Sequence, residues 1–128
     1  MVRLMKDNCL FCKIATHKEN AKILYEDDDV MVIMDAYPDT DGHTLVIPKK
    51  HYEDIYSIDF EVLLKIIDIG KKYATKLMTT LDKSALTFLV NYGDAQVVKH
   101  FHLHLLPDFM NKTHKFSKEE IYDKLIKD

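Results

Sequence analysis

Three histidines stand on alternate positions of the run VVKHFHLHLLPDF: His100, His102 and His104. On a strand, successive side chains point to opposite faces. The three imidazoles would then share one face about 6.5 to 7 Å apart from neighbour to neighbour, while Phe101, Leu103 and Leu105 face the other way. An imidazole has a polar cost when buried and a pKa near neutrality, so it suits a nucleophile, a general acid or a metal ligand better than passive packing. Three in register therefore point to chemistry. Cys9 and Cys12 form a second constellation, three residues apart. A redox Cys-x-x-Cys needs the strand-to-helix junction of a βαβ unit, a context missing ahead of residue 9. Two thiolates and two imidazoles would instead make a closed, structural zinc site. Two reduced cysteines in ordinary core packing are the alternative, as is a catalytic zinc held by all three alternating histidines with its fourth position left for water.

The elements that must position these groups are legible in outline. AKILYEDDDVMVIMDAYP reads as two short strands around the acidic turn Glu26 to Asp29, since β-branched and apolar residues flank a cluster that prefers turns. HTLVIPKKH predicts a third strand that stops near Pro48, which lacks the N–H a ladder requires. Phe60, Leu63, Leu64, Ile67, Ala74, Leu77, Met78 and Leu81 then recur at three and four residues, predicting one apolar stripe on a long helix. Ser57 is its expected N-cap, and Gly70 weakens its middle. SALTFLVN and HFHLHLLP return to strand character, and SKEEIYDKLIKD opens a last helix with Ser117 and Glu120 in capping-box spacing. The order predicts an α+β fold on an antiparallel sheet.

Composition bounds the function. A chain of 128 residues with 47% hydrophobic content is sized for one domain, read here as 1–128, with a helical tail at 117–127. A net charge of -3 leaves no basic excess to hold a nucleic acid backbone, although a small phosphate ligand fits. Charges recur every few residues through the N-terminus, so neither a secretory signal nor a membrane span is expected there, and a cytoplasmic location follows as an expectation. The lysine pairs at 49–50 and 71–72, and His17 and His114, read as solvated surface.

NYGDAQVVKHFHLHLLP resembles the signature of the histidine triad family of nucleotide-binding hydrolases and transferases. NCLFCKIA, AKILYEDDDV and MDAYPDTDGHTLVIPKKHYEDI resemble further family segments in the same order, so the likeness runs from residue 9 to about 109. It implies the family's HIT-like fold, with about five antiparallel strands, one long helix and short N- and C-terminal helices. It also implies cleavage at an α-phosphate of a nucleoside phosphoramidate or dinucleoside polyphosphate. His102 would attack phosphorus to give a nucleotidyl-histidine intermediate that water hydrolyses. His104, the side chains of Asn91 and Gln96, and the backbone N–H of Val97 would meet the developing charge. Asp35, with Ala36 beside it, would hold the ribose hydroxyls, capping the turn before Pro38 being its other reading. Leu10, Phe11, Ile14 and Ile33 would wall a purine slot, or simply pack.

The family's zinc-containing members draw their remaining ligands from PKKH and the first triad histidine. That implies one structural Zn2+ per chain on Cys9, Cys12, His51 and His100. His43 is placed either near the triad or at a loop edge. Relatives form two-fold dimers, which implies a homodimer through the long helix and its strand neighbour. Two departures stand out: the loop from Asn91 to Gln96 is about two residues shorter than usual, and Val97 occupies a position where many relatives carry Ser or Thr. A non-catalytic nucleotide-binding protein is the alternative those departures favour.

Overall fold

The computed structural model describes residues 8–127; the first seven residues and Asp128, included in the single-domain reading, lie outside the described residues. Five antiparallel strands form one sheet in the order β1-β2-β3-β5-β4. They are β1 (Ile23–Glu26), β2 (Val30–Met34), β3 (Thr44–Pro48), β4 (Leu86–Leu89) and β5 (Leu103–Pro107), accompanied by helices α1 (Leu10–Ala15), α2 (Phe60–Leu81) and α3 (Lys118–Ile126). The acidic turn between β1 and β2 forms because Asp27 accepts the backbone N–H groups of Asp29 and Val30 at 2.8 and 2.9 Å.

The sheet has two covered faces, which is why β2 and β3 are buried at every position and apolar at all but Thr44. Val30, Val32, Val46, Phe101, Leu103 and Leu105 pack with α2 and α3. On the opposite face Met31, Ile33, Leu45 and Ile47 pack with Cys9, Phe11, Cys12 and Ile14 of the α1 segment. Since α1 is small, part of that second face stays open as a cavity. The fold class, strand number and helix set are those expected from the sequence.

Four details differ. The α2 N-cap is Asp59, whose carboxylate accepts the N–H of Val62 at 3.2 Å. Ser57 belongs to a separate turn, accepting from the Asp54 N–H and donating its own to the Asp54 carboxylate. The α2 face on the core is Ile66, Ile69, Gly70, Ala74 and Leu77, whereas Phe60, Leu64 and Ile67 of the expected stripe are exposed. The helix is apolar over a wider arc than one stripe, and only one edge of that arc meets the sheet. Gly70 proves to be a point of close approach: a Cβ there would stand 2.9 Å from Leu103 Cδ2. Lastly, β5 begins at Leu103, so His100 and His102 lie in an irregular lead-in held by the Phe101 N–H bond to the Tyr52 carbonyl, 2.7 Å.

Candidate functional site

Alternation survives in that lead-in, because Phe101 and Leu103 are drawn into the α2-side core and turn His100, His102 and His104 to the other face. His104 lies opposite Leu45 of β3 and Leu89 of β4, and its ring is 4.8 Å from that of His102. The three histidines then diverge in environment.

His100 is fully buried and joins Cys9, Cys12 and His51. Its Nδ1 stands 3.2 Å from His51 Nδ1, 3.3 Å from Cys9 Sγ and 3.5 Å from Cys12 Sγ, and Cys12 Sγ is 3.4 Å from His51 Nδ1. A tetrahedron with zinc–nitrogen bonds of about 2.0 Å and zinc–sulfur bonds of about 2.3 Å has nitrogen–nitrogen edges near 3.3 Å and nitrogen–sulfur edges near 3.5 Å. The donor set matches in type and spacing. The outer shell fits too: His100 Nε2–H donates to the Pro48 carbonyl at 2.8 Å, leaving Nδ1 bare to face the centre. Burial, chiefly, and then the neighbouring imidazoles hold the His100 pKa down at about 4, against a raising contribution from the Pro48 carbonyl, so the ring is neutral and competent to ligate at neutral pH. Cys9 also caps α1, its sulfur accepting the Cys12 N–H at 3.4 Å.

His102 and His104 line a cavity of about 890 Å³, within the range of small-molecule sites. His102 Nδ1–H donates to the His100 carbonyl at 2.8 Å, so its Nε2 carries the free lone pair. Desolvation lowers its pKa and keeps it neutral. The opposite tautomer holds at His104. The Asp39 N–H donates to His43 Nδ1 at 3.1 Å, so neutral His43 bears its proton on Nε2, 2.9 Å from His104 Nδ1 and 3.4 Å from Asp35 Oδ2. His104 therefore accepts at Nδ1 and carries its own proton on Nε2. Burial, then His102 and His43, push its pKa down to about 3. One cavity imidazole presents a lone pair and the next an N–H.

Asp35, His43 and His104 also stand close enough to suggest a second metal. The hydrogen bonding argues against it. A metal on His43 Nε2 would move its proton to Nδ1, where it would meet the Asp39 N–H donor to donor.

The remaining expected residues fall as follows. Leu10, Phe11, Ile14 and Ile33 line one wall of the cavity; Phe11, Ile14 and Ile33 also pack in the core, whereas Leu10 is exposed. Asp35 and Ala36 line it as well, and Asp35 also takes the turn role, accepting the Tyr37 N–H at 2.8 Å. Asn91 lines the cavity with its amide 3.5 Å from His104 Nε2, beyond ordinary hydrogen-bond length. Val97 is at the rim, 90% exposed. Gln96 departs from expectation: its side chain is buried and donates to the Glu53 and Val98 carbonyls at 2.7 and 3.0 Å, so it braces the loop and does not line the cavity. Sequence reasoning missed Leu45 of β3, whose alternation with His43, just ahead of that strand, was a usable signal. It also missed Lys118 and Glu119, which α3 brings to the rim without any local sequence sign.

Residues 8–119 match the family described as "Scavenger mRNA decapping enzyme C-term binding". An uncharacterised HIT-like protein of Mycoplasma genitalium is 40% identical over 126 residues, covering 90% of this chain and 89% of its own. The chain belongs to the histidine triad family. Among solved structures, a Zn-bound histidine triad family protein from Mycobacterium smegmatis is 32% identical with a TM-score of 0.84, covering 92% of this chain and 90% of that one. A HIT family hydrolase from Legionella pneumophila is 39% identical with a TM-score of 0.66, covering 77% and 91%. This histidine triad protein thus shares its fold with a zinc-bound family member and with a family hydrolase. None of its described helices is long and apolar enough to cross a membrane.

Proposed function

We propose that this histidine triad protein is a cytoplasmic hydrolase that cleaves the α-phosphate bond of a purine nucleoside phosphoramidate through a nucleotidyl intermediate on His102. The observation that carries the reading is the paired tautomers in one cavity: a lone pair on His102 Nε2 beside an N–H on His104 Nε2. In the first step the His102 lone pair forms a bond to phosphorus as the phosphorus–nitrogen bond to the leaving amine breaks. His104 Nε2–H, with the Asn91 side chain and the Val97 N–H, holds the charged phosphoryl oxygens. A neutral imidazole that surrendered its last N–H would become an imidazolate, so the leaving amine takes its proton from water at the open rim, where Val97 offers no hydroxyl. Water then attacks the adduct, releasing the nucleoside monophosphate and restoring His102.

Charge favours an amine over a polyphosphate leaving group. The cavity is lined by Glu19, Asp35, Asp39 and Glu119 against two cations. Lys118 Nζ donates to the Ala36 carbonyl at 3.1 Å, and Lys22 sits over the Tyr122 ring at 5.1 Å. Both lysines are thus already engaged, Lys118 next to Asp35 and Lys22 against α3. A polyphosphate chain would bring further negative charge to a cavity whose lining is net acidic and whose two lysines are taken in this way. Asp35 would accept from the ribose hydroxyls, and the slot of Leu10, Phe11, Ile14 and Ile33 would hold the base face.

Cys9, Cys12, His51 and His100 would hold one zinc per chain, which cross-links the N-terminal segment to the sheet and takes no part in the reaction. Exposed Phe60, Leu64 and Ile67 on α2, with Phe88 and Val90 at the β4 edge, supply the apolar patch for a homodimer.

Turnover of an adenosine or guanosine phosphoramidate tests the reading. His102→Ala should lose several orders of magnitude in kcat while keeping nucleotide affinity, and rapid quenching of wild type should trap an acid-labile adduct. A His102→Ala enzyme with near-normal turnover refutes it.

A further inference from the structure

Helix α1 serves two sites at once. Its capping residue Cys9 and its third residue Cys12 face His51 and His100, while Leu10, Phe11 and Ile14 on the same six-residue element wall the cavity. A helix this short has no stability of its own in water, so its place is set by what ties it down. Two further contacts run between the sites. The Phe11 ring packs edge-on to His100 and to His102, centroids 5.7 and 5.0 Å apart. The His100 carbonyl takes the Nδ1–H of His102 at 2.8 Å. Whatever joins Cys9 and Cys12 to His51 and His100 therefore also fixes the wall of the base slot and the bearing of the His102 ring.

We propose that the Cys9–Cys12–His51–His100 centre and the cavity are reciprocally coupled through α1, so that metal occupancy regulates nucleotide binding and bound nucleotide retains the metal. This rests on the zinc and nucleotide readings above. The physical requirement is a single bistable element biased by both ligands. With the cross-link made, α1 is docked and the slot is complete. With it open, the chain keeps the α2-side core, which contains no α1 residue, but loses three of the apolar residues that wall the slot. The nucleotide must then order α1 at its own expense, and the same factor must appear in both binding equilibria.

The test uses the full chain with Zn2+ and with AMP and GMP as probes. Calorimetric titration should show nucleotide binding to zinc-loaded protein about tenfold more tightly than to chelator-treated protein, a mid-range coupling factor. Competition with a chromophoric chelator should show zinc held more tightly by the same factor at saturating nucleotide. Amide hydrogen exchange should show α1 losing protection in the zinc-free chain while β2, β3 and β5 keep theirs. Should the zinc-free chain lose its sheet as well, release kinetics decide. Zinc leaving the loaded, folded protein into excess chelator should slow about tenfold with nucleotide bound, and an unchanged rate overturns the coupling. Equal nucleotide affinity with and without zinc, in a chain whose sheet stays protected, overturns the coupling and leaves the nucleotide reading standing. Loaded protein that takes up neither nucleotide refutes the nucleotide reading itself.

Discussion

Replacing His43 by leucine isolates the device that sets the His104 tautomer. His43 is 2% exposed, and its Nε2 supplies the proton that satisfies His104 Nδ1 at 2.9 Å. Without it, the tautomer needed for catalysis, with its proton on Nε2, leaves Nδ1 a buried acceptor lacking a donor. That costs about 1 to 3 kcal/mol, and at 1.4 kcal/mol per factor of ten the competent fraction falls about 5- to 150-fold. The expected result is a kcat lowered by that range, with KM changed little because the apolar slot is untouched. His43→Gln, whose amide can still donate, should recover part of the loss. The assay is steady-state hydrolysis of a fluorogenic adenosine phosphoramidate, with thermal melting to verify that the variants are folded. A His43→Leu enzyme within twofold of wild-type kcat, or one whose whole defect lies in KM, refutes the tautomer argument.

Asp41 is 3% exposed and its carboxylate accepts the N–H groups of Lys115 and Phe116 at 2.9 and 3.1 Å. Asp41→Asn turns an amide N–H toward one of those donors, so urea titration should show a loss of about 1 to 3 kcal/mol, and an unchanged midpoint contradicts this. Burial works against the charge on Asp27, but hydrogen bonds from Tyr25, the Asp29 and Val30 N–H groups and Lys65 outweigh it and depress the pKa. A depressed carboxyl stabilises the fold above its unfolded value and loses that contribution as pH falls through its folded value, so stability should decline below about pH 4 and Asp27→Asn should flatten the decline. Equal acid slopes for the two proteins would sink that assignment. Sedimentation of wild type should give a dimer of the 15.0 kDa chain, with Ile67→Lys reducing it to monomer; a wild-type monomer at micromolar concentration refutes the interface.

Spacing along one chain determined a good deal of this protein. Period-two alternation placed the three histidines opposite Phe101, Leu103 and Leu105, and side-chain direction follows that local rule even where the regular strand has not yet begun. Ser117 and Glu120 specify the start of α3 by themselves, because a capping box closes within four residues and both of its hydrogen bonds form. Cysteines three apart could already be read as half of a zinc site. Other features depend on partners distant in sequence. Which arc of α2 is buried was decided by the sheet it meets, since the helix is apolar over more than one stripe. Gly70 read as a weak point within its helix and turned out to be where Leu103 approaches. Gln96 carries the same amide whether it faces a phosphate or the Glu53 carbonyl, and only the fold chose between them. The His104 tautomer is set by a backbone N–H at Asp39 acting through His43, a chain of donors spanning residues 39 to 104. Local pattern governs where a side chain points, and what it then meets is fixed by contacts between elements that no local spacing encodes.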